Sequence, residues 1–155
     1  MTFNRNLILG AVAAVMAGSV AFAASHGENP AVKARKAHMQ LYAHNLGILG
    51  GMAKGTAEFN ADAAQAAANN LASLSTLNQM SYWAADTSSM DLENTRTLPA
   101  LWDNIPDAMA KGQALAEAAS AMQAAAGSLE GVQASIGAVG GACGACHKAY
   151  RQPDS

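Results

Sequence analysis

The chain has 155 residues, 51% of them hydrophobic and 13% charged, with 9 Lys and Arg against 11 Asp and Glu. A net charge of −2 lacks the basic excess of a nucleic-acid surface and argues against that class of partner. Aromatic residues make up only 5%, so an Ala-rich core would be thin, and a large planar cofactor would supply the missing apolar bulk.

Residues 1–23 read as a secretory signal. Arg5 and the amino terminus give a positive start, an uncharged apolar run follows from Leu7, and Ala21-Phe22-Ala23 offers an A-x-A cleavage site. An uncleaved tether is the alternative, because Leu7 to Ala24 spans 18 residues without charge, the lower bound for crossing a bilayer. Its Ala, Gly, Ser and Val content favours cleavage after Ala23 and export to the periplasm. Residues 24–155 then form a single domain with a net charge near −3.

Asn29-Pro30 opens the first helix with a capping side chain and a proline at its first position. From Val32 a seam in steps of three and four runs through Arg35, Met39, Tyr42, Leu46, Leu49 and Ala53, and Gly55 ends the helix. Gly47, Gly50 and Gly51 suit a cofactor neighbour or a close helix crossing. A second helix starts near Asn60 and carries Ala64, Ala67, Leu71, Leu74 and Leu77 on one side. Periodicity fails from Met80 to Leu98, which predicts a long surface connection able to cover a cofactor edge.

Leu98-Pro99 restarts the helical pattern through Leu101, Ile105, Ala108, Leu115, Ala119, Met122 and Ala126. Pro106 inside it predicts a kink, or a short first turn followed by a new start. Gly127-Ser128 closes that helix and caps the last, whose seam is Leu129, Val132, Ile136, Val139, Cys143, Cys146 and Tyr150. The expected fold is all-α, an antiparallel four-helix bundle with the cofactor inside one end.

That last seam contains Cys143-Gly144-Ala145-Cys146-His147, the C-x-x-C-H pattern of c-type haem attachment. Two thiols three residues apart reach the two vinyl groups of one porphyrin edge, and the adjacent imidazole reaches the iron. All three leave from one helix face. A structural zinc site would need four Cys or His ligands, and the chain has only these two cysteines. A thioredoxin-like redox pair would sit beside a βαβ pattern, which is missing here. A disulfide across three residues would close too small a loop to stabilise much.

A signal peptide, four helical stretches and C-x-x-C-H within ten residues of the C-terminus resemble the class II c-type cytochromes, cytochrome c′ and its low-spin relatives. The likeness spans the mature chain. It includes Ala53-Lys54-Gly55, the stretch Thr95-Arg96-Thr97-Leu98-Pro99-Ala100-Leu101-Trp102, and Cys143 to Arg151. It implies one haem c on Cys143 and Cys146, His147 as proximal ligand, and a first-helix residue opposite it, which here is Met39. Family members either bind iron through that Met sulfur or leave the sixth site empty under an apolar side chain.

Arg151, a helical turn beyond His147, is expected to discourage its protonation, or simply to complement the helix dipole. Arg35, one turn before Met39, is expected to pair with the haem propionates or to snorkel to solvent. His38 and His44 read as rim histidines, with His38 a minor rival for the sixth site; His26 falls in the chain start. Trp102, Tyr42 and Tyr150 read as core or pocket walls. Two functions stay open: a periplasmic one-electron carrier with His147 and Met39 on the iron, served by redox partner proteins, and a five-coordinate protein binding nitric oxide or carbon monoxide. An enzymatic role such as a peroxidase ranks third, because no distal acid–base pair is evident. A homodimer through the first two helices is a further expectation from the resemblance.

Overall fold

The computed structural model describes residues 28–153, so the expected signal segment, its cleavage site and His26 lie outside the described residues. The helices are α1 (Pro30–Ala53), α2 (Ala61–Thr76), a short α3 (Ala100–Asp103), α4 (Ile105–Ala125) and α5 (Leu129–Tyr150). Each of the four long helices has a side-chain reason for its start. Asn29 accepts from the amides of Ala31 and Val32, Asn60 from Ala63, Asn104 from Asp107 and Ser128 from Gly131, each satisfying first-turn donors that lack a helical partner. At the other end of α1, Gly55 takes a φ of +72°, where a Cβ would be strained, and its amide returns to the Met52 carbonyl at 3.1 Å.

Pro106 makes a new start rather than a kink. Asn104 leaves helical geometry after the single turn of α3 and caps α4. The connection from 77 to 99 carries a 3-10 turn (Met80–Tyr82), a left-handed Asp86 with φ of 57°, and one isolated bridge between Thr97 and Arg151. Leu77, expected on the α2 face, lies beyond that helix's last residue and is half exposed.

Four long helices pack around a core of Tyr42, Leu49, Met52, Ala64, Ala67, Ala68, Leu71, Ala119, Met122, Ala126, Val132 and Val139. On α1 the buried stripe is Val32, Arg35, His38, Tyr42, Asn45, Leu49 and Met52, shifted from the expected seam. Met39, Leu46 and Ala53 stand beside that stripe, half-buried against the core. The helix is therefore covered from two sides. One side meets α2 and the connection, where the Asn70 side-chain amide donates to Asn45 at 3.0 Å; the other turns towards α5.

Candidate haem site

The side-chain amide of Gln133 on α5 donates to the Ala53 carbonyl at the end of α1, at 3.1 Å. The helices run antiparallel from that contact, and the groove between them, about 460 Å³, is lined by Leu46, Gly47, Gly50, Ile136 and Gly140 among others. Positions 133, 140 and 147 recur every seven residues on α5, as do 53, 46 and 39 on α1. Residues seven apart occupy nearly one face of a helix. Stepping down both helices together, the register that pairs Gln133 with Ala53 reaches His147 and Met39. No Cβ at Gly47, Gly50 or Gly140 would meet a neighbour within 4 Å, so these glycines border open space rather than a tight crossing.

Cys143 and Cys146 are both unoxidised thiols, half-buried on α5. Burial pushes both thiols up, and for Cys146 the nearby Lys111 opposes that rise while Cys143 and Asp107 add to it. Burial holds the His147 imidazole below its ordinary range, and the charges of Arg151 and then Arg96 push it further down. Arg151 adds to that lowering from an exposed position, and its backbone also caps α5. A neutral imidazole is the form that ligates a metal.

The end of α5 is fixed from two directions. The Tyr150 hydroxyl donates to the Asp107 carboxylate on α4, and Lys111 donates to the other oxygen of that carboxylate at 3.2 Å. Leu98 donates its amide to the Tyr150 carbonyl, and Gln152 to the Arg96 carbonyl, both at 2.9 Å. Tyr42 lies near Cys143, and burial drives its phenol up to about 12.

Two expectations need correction. Arg35 does not snorkel to solvent, and its terminal donors meet protein oxygens. It is 4% exposed and donates to the Tyr82 carbonyl (3.0 Å), the Thr87 hydroxyl and carbonyl (3.3 and 3.0 Å) and the Thr95 hydroxyl (2.8 Å). His38 is no rim residue: it too is 4% exposed, edge-on to Tyr42 at 4.7 Å and beside Tyr82 at 5.6 Å, with Nε2 unpartnered. It faces Tyr82 of the 3-10 turn and lies by Leu74 of α2, while Met39, the next residue, is partly buried against the core. His44 is exposed, as expected.

These residues fit a covalently held haem. The thiols are unpaired with each other, and they share α5 with an imidazole whose protonation burial disfavours. Among the described residues no three His, Cys, Asp or Glu side chains converge as they would on a bare metal ion.

The cytochrome c′ family profile matches residues 30–151. Cytochrome c-554 of Cereibacter sphaeroides is 39% identical over 124 residues, covering 79% of this chain and 81% of the relative. A solved cytochrome c′ from Rhodobacter sphaeroides, 36% identical, superposes with a TM-score of 0.78 over 80% of this chain and 96% of that one. A nitric oxide complex of a mutant cytochrome c prime from Alcaligenes xylosoxidans, 30% identical, covers 80% of this chain and 94% of its own, with a TM-score of 0.70. A profile spanning the whole bundle, relatives matched along most of their length, and two thiols with an imidazole at the end of α5 all agree: this chain is a non-enzymatic haem protein of the cytochrome c′ family, carrying haem c covalently.

Proposed function

We propose that this protein is a one-electron carrier of the periplasm, with His147 and Met39 as the two axial ligands. The haem supplies a one-electron ferric–ferrous couple. The observation that carries the reading is the shared seven-residue register of α1 and α5, which leads from the Gln133–Ala53 contact to His147 and Met39. His147 is held neutral by burial and by Arg151 and Arg96, so its ring nitrogen is available to iron. Met39 brings a thioether on a helix packed against the core, and Met ligation raises the reduction potential. Because both helices are anchored, the ligands need not move when the charge changes.

Export follows from the reading of residues 1–23, and among the described residues no helix is long and apolar enough to cross a membrane. A second reading draws on the nitric oxide complex of the Alcaligenes relative. In it, Met39 packs as an apolar lid, the iron is five-coordinate, and a small gas takes the sixth position. Optical and electron spin resonance spectra of the ferric protein separate the two. The carrier gives a low-spin signal that Met39→Leu converts to high-spin, with a fall in potential. A high-spin signal at neutral pH that Met39→Leu leaves unaltered defeats the carrier and supports the gas-binding reading.

A further inference from the structure

We infer that Arg35 is a positioning residue, a clasp joining the helix that bears Met39 to the end of the helix that bears His147. The inference rests on the proposed axial pair for its functional meaning and on the contacts of Arg35 for its structure. Arg35 stands one turn before Met39 on α1. Its two terminal nitrogens together carry four N–H groups, and the four bonds given above go to Tyr82, Thr87 and Thr95. All four acceptors are neutral oxygens. The guanidinium lies 4.9 Å from the Trp83 ring centre and 6.0 Å from that of Trp102, whose indole donates to the Trp83 carbonyl at 3.1 Å. Burial lowers the pKa of Arg35, and the aromatic faces and oxygens offset part of the cost of keeping the charge inside.

From Thr95 the chain passes straight to the end of α5. Thr97 bridges Arg151, Leu98 donates to Tyr150, and Gln152 donates to Arg96. A path of hydrogen bonds thus leads from one turn before Met39 to one turn after His147. Further along the pair, towards the end of α1, α1 and α5 border an open groove lined by Leu46, Gly47, Gly50, Ile136 and Gly140. At the site end the connection adds a tie between the two helices, and Arg35 organises the connection. The planar fork is essential here, because a lysine ammonium is a single point that cannot span acceptors on Tyr82, Thr87 and Thr95 together.

The test uses the purified haem protein with Arg35→Gln, Arg35→Lys and the milder Thr95→Val. Arg96 is the single tryptic site between Lys54 and Lys111, and so reports opening of the connection. The clasp predicts that Arg35→Gln speeds cleavage after Arg96 by about tenfold or more. Arg35→Lys should resemble Gln, and Thr95→Val should give a smaller increase in the same direction. In step with cleavage, a share of the ferric iron should shift from low-spin to high-spin as Met39 loses its place. Unchanged cleavage in Arg35→Gln, full protection in Arg35→Lys, or faster cleavage with an unaltered spin state would each overturn the inference. A changed potential without loop opening would assign Arg35 to the porphyrin carboxylates instead and equally overturn it. If the wild-type protein is already high-spin, the axial-pair reading fails on its own, and the cleavage arm still judges the clasp.

Discussion

Tyr150 shows how one side chain ties the site to pH. Its hydroxyl donates to Asp107, which drives the phenol up to about 12, and the same bond together with Lys111 lowers the Asp107 carboxyl. A phenol whose pKa is raised on folding contributes stability that is complete below the ordinary tyrosine range near 10, and loses it as pH rises through about 12. Asp107 behaves in the opposite sense: its contribution is present above the ordinary aspartate range and fades as pH falls through its lowered value. Urea midpoints measured against pH should accordingly fall off at the alkaline end in the wild type and less steeply in Tyr150→Phe. A matching alkaline slope in the two proteins would remove Tyr150 from that role. Sequence alone placed Tyr150 on the seam, because the three-and-four spacing predicts it. It could not supply Asp107, which lies on another helix 43 positions away. The same gap explains His38: counted from Val32 it falls beside the seam, and only the cover of α2 and the 3-10 turn buries it.

Helices α4 and α5 turn tightly on each other, and a pair of glycines isolates what that turn demands. A Cβ on Gly131 would stand 2.1 Å from the Ala125 carbonyl oxygen, a backbone atom that cannot swing aside, whereas at Gly137 on the same helix it would meet nothing within 4 Å. Gly131→Ala should cost about 1–3 kcal/mol by overpacking. Gly137→Ala should gain about 0.5–1 kcal/mol, because alanine loses less backbone entropy in a helix. Chemical denaturation of the two variants should move in opposite directions; a gain in both would mean that helix propensity alone governs both sites. Helix limits of this kind were largely readable in advance, since Asn29-Pro30, Gly55, Asn60 and Ser128 act through neighbours within a few residues. The connection from 77 to 99 was readable only as a break in periodicity. Its order comes from Arg35, through hydrogen bonds spanning 47 to 60 positions, and no local pattern encodes them.

At the scale of the molecule, the bundle's core is built from small parts. Ala64, Ala67, Ala68, Ala119 and Ala126 are buried, and the largest fully buried side chains among the described residues are Leu49, Leu71, Met122, Val32, Val132, Val139 and Thr87. An alanine removes little apolar area from water, at about 25 cal/mol per Å², so much of the core contributes modestly. Leu46, Ile136, Cys143 and Cys146 are only half-buried by protein, and Leu41, Ile105 and Met109 are exposed. A domain is held by a margin of about 5–15 kcal/mol, so apolar contact supplied by a covalently held haem should weigh heavily in a core of small side chains. The double change Cys143→Ser with Cys146→Ser removes the attachment without altering side-chain volume greatly. Circular dichroism of that chain should show reduced helix and a broad, weakly cooperative melt well below that of the haem protein. The loss should concentrate where α1 and α5 flank the site, while α2 and α4, whose buried alanines pack on each other, retain more protection from amide exchange. A melt as sharp and as high as that of the haem protein would show that the alanine core suffices by itself, and would leave the thioethers a role in function alone.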